Sequence, residues 1–281
     1  MGTVGIVGAG TMGRGIAQVS AAAGYDVILN DVSIDLVERS VDQLTRNLTA
    51  LVDKGKMEAA ARDDILRRIF RSVDLKDMSG ADIIVEAIYE DLDAKKKVFA
   101  ALDEYCKDDV VLGSNSSSLS ILDMAMVTKR PESVVGIHFF NPVPRMKGVE
   151  LVCTILTSFR TLEMARQFSV SLGKETWVAK DAPGFLSTRL LVPYLLDAMR
   201  LLESGFASKE DIDTCCVLSF NYPMGPLALS DLIGLDVLLN ISNGMYASFK
   251  DQRFAAPILL EKMVKAGQLG RKVGKGFYDY D

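Results

Sequence analysis

Histidine is nearly absent from this chain: His138 is the only one in 281 residues. A His-cluster metal site is therefore excluded, and any chemistry that needs an imidazole must use that residue. Cysteine is scarce too. Cys106, Cys153, Cys215 and Cys216 form no C-x-x-C pattern, and adjacent cysteines seldom bridge each other. They read as small buried residues in a reducing compartment. No apolar run reaches the roughly 18–20 residues that span a bilayer. The start, Met1-Gly2-Thr3-Val4-Gly5, lacks the basic segment of a signal peptide, and Ile6 stands where a myristoylation motif needs Ser or Thr. No membrane partner is expected, and the cytoplasm is the default compartment. Basic charge is not in excess: 32 Lys and Arg against 37 Asp and Glu leave a net charge of −5, which argues against nucleic acid as a partner.

What is present describes a folded protein. Hydrophobic residues make up 49% and charged residues 25%, an ordinary globular balance. At about 150 residues per domain the length suggests two domains. Residues 1–182 alternate short apolar runs with helical spacing, which predicts an α/β domain on a mostly parallel sheet. Strands are expected at Thr3–Val7, Val27–Asn30, Ile83–Ile88, Val110–Gly113, Val134–Phe139, Val149–Cys153 and Trp177–Ala179. Helical spacing runs from Met12 to a cap at Gly24, from about Ser33 to Lys54, from about Glu58 to Phe70, and up to Tyr105. Over residues 183–281 the strand-like runs fade. Leu190, Leu191, Tyr194, Leu195, Met199 and Leu202 lie near one helical stripe, and Pro193 inside it is expected to kink or break the helix. This second, all-helical domain is small and Leu-rich, so a homodimer is expected to complete its core.

Gly8-Ala9-Gly10-Thr11-Met12-Gly13 matches G-x-G-x-x-G, between a predicted strand and a predicted helix. That is the context of a doubly wound, Rossmann-type dinucleotide fold. Gly8 permits the tight turn, Gly10 lets the backbone approach a pyrophosphate, and Gly13 allows close helix–strand packing. The helix N-terminus, at Thr11 and Met12, offers unpaired N–H groups to the phosphates. Asp31 follows the second strand, 18 residues after Gly13. Its carboxylate suits ribose hydroxyls and repels a 2′-phosphate, so NAD is expected, with NADH favoured over NADPH. A glycine turn without a ligand, or a methyltransferase-type adenosine site, shares the same spacing.

His138 ends an apolar strand, and Pro142 and Pro144 then force a turn. A hairpin centred near Pro144 sets His138 opposite Glu150. A carboxylate there orients the ring, fixes its tautomer and stabilises the imidazolium, which makes a general-base pair. A satisfied structural histidine fits the spacing equally. Ser114-Asn115-Ser116-Ser117-Ser118 follows another strand, at the sheet end where ligands bind in open parallel sheets, and also reads as a capping turn.

In order along the chain, these stretches resemble the short-chain 3-hydroxyacyl-CoA dehydrogenase family, and within it the bacterial 3-hydroxybutyryl-CoA dehydrogenases. The matching segments are Gly8–Gly13, Val85-Glu86-Ala87-Ile88-Tyr89-Glu90, Ser114–Leu119, His138-Phe139-Phe140-Asn141-Pro142-Val143-Pro144-Arg145-Met146-Lys147 on to Glu150, Pro183-Gly184-Phe185, Arg189–Tyr194, Tyr222–Pro226 and Gly274–Tyr278. The resemblance implies interconversion of 3-hydroxyacyl-CoA and 3-oxoacyl-CoA, with an acyl-CoA substrate, NAD and a homodimer. It implies His138 as general base, Glu150 as its orienting carboxylate, Ser117 on the substrate oxygen and Asn141 between cofactor and substrate. Glu90, Lys95 and Lys272 match residues near the cofactor; Asn47 and Lys54 match residues near CoA. For Asn47, Lys54 and Lys272 a solvated surface side chain is the competing expectation.

Two positions depart from the family pattern. Where the family has an Asn that reaches the substrate, just before the Arg of the second domain, this chain has Thr188. Thr offers one hydroxyl in place of an amide. Losing a transition-state hydrogen bond costs about 1–4 kcal/mol, roughly ten- to a thousandfold in rate. Gly148 stands where the family has a larger apolar residue. Thr188 keeps a second hypothesis in view, an NAD-binding structural or sensory protein with weak turnover; the retained Ser117, His138, Glu150 and Asn141 argue against it. A dehydrogenase for small hydroxy acids without CoA is a third, and the pattern around His138 does not suit it.

Overall fold

The computed structural model describes residues 2–280, which divide into two compact units, one ending at Ala182 and one beginning at Pro183. In the first unit eight strands form one sheet: β1 (Thr3–Val7), β2 (Asp26–Asn30), β3 (Ile69–Ser72), β4 (Ile83–Glu86), β5 (Val111–Ser114), β6 (Val134–Phe139), β7 (Gly148–Cys153) and β8 (Glu175–Lys180). Their order is β3-β2-β1-β4-β5-β6-β7-β8, and every pairing is parallel except β6 with β7. The apolar runs of β1, β4 and β6 are buried along their length, as expected of strands covered on both faces. Ile6, Val85 and Ile137 are fully enclosed, each contributing about 1.5–3 kcal/mol by leaving water.

Six helices cover the sheet: α1 (Thr11–Ala22), α2 (Ile34–Asp53), α3 (Ala59–Arg67), α4 (Leu92–Tyr105), α5 (Ile121–Ala125) and α6 (Phe159–Ser171). Side-chain caps set several starts: Ser33 accepts the Leu36 N–H, Asp91 the Ala94 N–H and Ser158 the Thr161 N–H. One expectation fails. The helical pattern projected from Glu58 to Phe70 stops at Arg67, and Ile69–Ser72 is the edge strand β3. Ile65 and Ile69 are four apart and mimic a continuing helix, but the Ile69 side chain is buried from a strand.

The second unit is helical, with α7 (Ser187–Glu203), α8 (Lys209–Phe220), α9 (Pro226–Ile233), α10 (Leu235–Phe249) and α11 (Ile258–Lys265). Its core gathers Val192, Leu195, Met199, Leu227, Leu238 and Phe254. Pro193 lies inside α7 without ending it. Of the stripe expected on α7, Leu195 and Met199 are buried and Leu191, Tyr194 and Leu202 pack against the core; Leu190 is 68% exposed instead, and Val192 and Leu196 are buried beside them. Two buried carboxylates tie the unit together. Asp213 accepts the Leu227 and Ala228 N–H groups at the start of α9, and Asp231 accepts those of Phe277 and Tyr278. No helix of the described residues is long and apolar enough to cross a membrane.

Candidate functional site

The sheet order reverses between β1 and β4, whose chain continuations leave in opposite directions, and such a switch point opens a crevice at the strand C-termini. Gly8 follows β1 there with φ +107°, and a Cβ on it would lie 2.6 Å from the Ala87 carbonyl oxygen after β4. Only glycine allows both the backbone angle and that approach. A Cβ on Gly13 would run into the Gly8 carbonyl, so α1 packs tightly on the turn. Above Gly10 nothing lies within 4 Å, and α1 has no side-chain cap. This open cradle at an uncapped helix N-terminus fits a pyrophosphate.

Asp31 closes the same crevice. Its carboxylate accepts the Ala9 and Val32 N–H groups, each at 2.7 Å, and so pins the glycine turn to the end of β2. A carboxylate has further lone pairs for ligand hydroxyls. A cavity of about 840 Å³ runs alongside, lined by Gly8, Gly10, Asp31, Ile88 and Tyr89 among others.

The second cluster sits on the neighbouring strands. The β6–β7 register pairs His138 with Glu150, as the hairpin spacing predicts. His138 Nδ1 lies 3.0 Å from Glu150 Oε2, and Nε2 lies 3.1 Å from the Ser117 hydroxyl. Glu150 is fully buried and His138 5% exposed. When the ring is neutral beside an ionised carboxylate, which only accepts, Nδ1–H donates to Glu150 and Nε2 is left as the acceptor facing Ser117. The result is a Ser117–His138–Glu150 line with its basic nitrogen toward the strand ends. Asn141 is exposed in the turn after β6, preceding a cis bond to Pro142. That turn rests on α1, where a Cβ on Gly15 would come within 2.9 Å of Val143.

Glu90 and Lys95 organise the serine turn. Glu90 Oε1 accepts the Ser116 hydroxyl at 2.5 Å and the Ser117 and Ser118 N–H groups at 3.0 and 3.2 Å. Burial opposes ionisation of Glu90, but the Ser116 hydroxyl, the Lys95 charge and the Ser117 N–H outweigh it and hold its carboxyl below the ordinary range. Its grip on the turn is therefore present above the ordinary carboxylate value and lost as pH falls through the lowered one. Lys95 is 1% exposed, and its ammonium lies between Glu86 Oε1 at 2.6 Å and Glu90 Oε2 at 3.3 Å. Glu86 also accepts the Ser114 hydroxyl and the Ile88 N–H. Asn115 Oδ1 accepts the Phe139 N–H at 2.9 Å and locks the turn to β6. The motif segments contained Glu86 and Asn115, but their roles depend on three-dimensional neighbours.

The remaining sequence-derived residues have their own local surroundings. Asn47 and Lys54 are exposed on and just after α2, seven residues apart, and Asn47 accepts a hydrogen bond from Gln43. Thr188 occupies the first turn of α7 in the helical unit. Lys272 belongs to that unit as well, its ammonium 2.6 Å from Asp236 Oδ2, and this pairing lowers the Asp236 carboxyl from its ordinary value.

A glycine cradle at a sheet switch point, closed by an acidic residue after β2, defines a dinucleotide-binding α/β protein. Residues 3–182 match the NAD-binding domain of 3-hydroxyacyl-CoA dehydrogenase, and residues 184–280 match that enzyme's C-terminal domain. The chain belongs to the 3-hydroxyacyl-CoA dehydrogenase family. It is 46% identical over 276 residues to a 3-hydroxybutyryl-CoA dehydrogenase of Clostridioides difficile, covering 98% of each chain. It is 44% identical to one of Mycobacterium tuberculosis, covering 99% of this chain and 98% of that one. The crystal structure of (S)-3-hydroxybutyryl-CoA dehydrogenase from Ralstonia eutropha superposes with a TM-score of 0.96 at 42% identity, covering 99% of both chains.

Proposed function

We propose that this protein is an NAD-dependent dehydrogenase interconverting (S)-3-hydroxyacyl-CoA and 3-oxoacyl-CoA, with 3-hydroxybutyryl-CoA and acetoacetyl-CoA as its pair. The observation that carries this reading is the Ser117–His138–Glu150 line, with separations of 3.1 and 3.0 Å, in the same unit as the glycine cradle. A bound nicotinamide supplies the acceptor or donor of hydride. In oxidation, His138 Nε2 takes the proton of the 3-hydroxyl as the hydride leaves C3. Glu150 compensates the positive charge that forms on the ring. Ser117 holds the substrate oxygen, with Asn141 beside it. In reduction, the imidazolium returns its proton to that oxygen.

Gly8, Gly10, Gly13, Thr11 and Met12 form the pyrophosphate cradle of this proposal, and Asp31 takes the ribose. Glu90 and Lys95 serve the cofactor side by shaping the serine turn, and the family resemblance adds Lys272. Asn47 and Lys54 on α2 offer an amide and a cation to CoA. A homodimer is supported by apolar side chains exposed on the helical unit, among them Leu190, Leu218, Phe220 and Leu232. Light scattering should return twice the chain mass of 30.7 kDa; a monomer at micromolar concentration contradicts the dimer. Of the cysteines expected to be buried, Cys106 and Cys216 are, Cys153 is half-buried and Cys215 is exposed; the cytoplasm is the proposed setting.

The purified protein should consume NADH when given acetoacetyl-CoA, and NADPH far more slowly. Thr188→Asn should raise kcat/KM about tenfold or more, because it returns the amide that the family resemblance places on the substrate. No NADH loss from either form refutes the dehydrogenase reading. Asp31→Ala should weaken NADH about tenfold by removing the ribose acceptor and loosening the glycine turn, and should narrow the gap to NADPH. An unchanged NADH/NADPH ratio places the discrimination elsewhere.

A further inference from the structure

The row that carries the dyad does not end at Glu150. In the parallel β7–β8 register Glu150 is the partner of Trp177, so His138, Glu150 and Trp177 stand side by side across three strands. The Trp177 indole N–H donates to Glu150 Oε1 at 3.3 Å, while Oε2 faces His138. The Trp177 ring stacks on Phe140 at 5.7 Å and 26°, and Phe140 lies 4.6 Å from the His138 ring. Space for the indole comes from Gly148, two residues before Glu150 on the same strand face. A Cβ there would sit 2.7 Å from Trp177 Cη2 and Cζ3. Gly148 is not among the glycines with positive φ, so its backbone does not require glycine; the indole does.

We propose that Trp177 is a positioning residue for the His138–Glu150 dyad, holding the second carboxylate oxygen so that the first stays on Nδ1, and that Gly148 is small to admit it. The inference rests on the dyad serving as the general base. A carboxylate with one oxygen on His138 can still rotate about its terminal torsion, which is broad. A donor on the other oxygen removes that freedom. It also draws negative charge away from the His138 side, so losing it raises the pair's affinity for a proton, whichever partner carries it. On the Ser117 side the charged groups are Glu90, which accepts the Ser117 N–H, and Lys95 beside it, and neither Trp177→Phe nor Gly148→Ala touches them. On the Glu150 face α5 packs through Ile121 near Gly136 and Val152; its Asp123 is exposed, and Asp181 is engaged with the Leu122 N–H. Arg166 and Glu163 belong to α6, whose Ala165 and Phe168 pack with Val149 and Leu151 of the opposite face.

The experiment compares Trp177→Phe and Gly148→Ala, each alone and with Glu150→Gln. Trp177→Phe keeps a ring and deletes the N–H. It should lower kcat five- to tenfold, about the worth of one such hydrogen bond, with KM for acetoacetyl-CoA within about twofold. In the oxidation direction the acid limb of kcat/KM should move up by about half a unit, because the base is blocked by a proton it now holds more tightly. Gly148→Ala should change the same quantities in the same direction, less strongly. Both effects should vanish when Glu150 is Gln, as a pairwise coupling requires. The single histidine allows the ring titration to be followed by NMR in untagged protein without any substrate. An upward shift in Trp177→Phe supports the proposal even if turnover is absent, an absence that tells only against the dehydrogenase reading. An unmoved titration, or an effect that persists with Glu150→Gln, makes Trp177 a packing residue and overturns it.

Discussion

His138→Gln will stop turnover while leaving the cofactor bound. Removing a positioned general base lowers kcat by about 10²–10⁴-fold, and no other histidine exists to substitute. The loss belongs at the upper end, because Gln neither accepts a proton at neutral pH nor shares the hydrogen-bond line of Ser117 and Glu150. The glycine cradle and Asp31 do not pass through this side chain, so NADH affinity, read by fluorescence titration, should stay within about twofold. A large loss of NADH affinity with residual turnover would make His138 a folding or cofactor residue instead.

Glu150→Gln should be nearly as damaging for a different reason. Its carbonyl oxygen can still accept from Nδ1–H, but it brings no charge to balance an imidazolium. We expect kcat to fall about 10²- to 10³-fold. The pH profile should also move. Without the carboxylate the protonated ring is less stable, so the acid limb in the oxidation direction shifts to lower pH. That is opposite in sign to the shift expected for Trp177→Phe, which separates removal of the partner's charge from removal of its support. Since Glu150 is fully buried, thermal melting should accompany the kinetics. A rate and a pH profile like those of the unmodified protein would remove Glu150 from the dyad.

The parts of the site legible in the sequence were those set by local rules. Gly8, Gly10 and Gly13 declare themselves because backbone angle and close approach demand glycine between a strand and a helix. The pairing of His138 with Glu150 follows from two prolines that fix where one strand ends and the return begins. Order along the chain, more than any single motif, carried the family resemblance. What stayed hidden depends on neighbours remote in sequence. Trp177 meets Glu150 only because β8 pairs parallel to β7 after α6 has intervened. Lys95 looks like one of three consecutive lysines, 95–97, yet its ammonium is buried against Glu86. The edge strand β3 was obscured by an isoleucine spacing that also suits a helix. On α7 the middle of the stripe was legible, at Leu195 and Met199, but its edges were not: Leu190 is exposed, and Val192 and Leu196 are buried.

In the proposed reaction a hydride passes between the cofactor and C3 of the acyl-CoA, and the proton passes through His138. The most direct test supplies acetoacetyl-CoA and NADH carrying deuterium at both C4 positions, and analyses the product by mass spectrometry. The expected product is 3-hydroxybutyryl-CoA with a single deuterium at C3, and almost none is formed by His138→Gln. A reduced product without the label, or labelled product at undiminished rate from His138→Gln, would contradict that reaction.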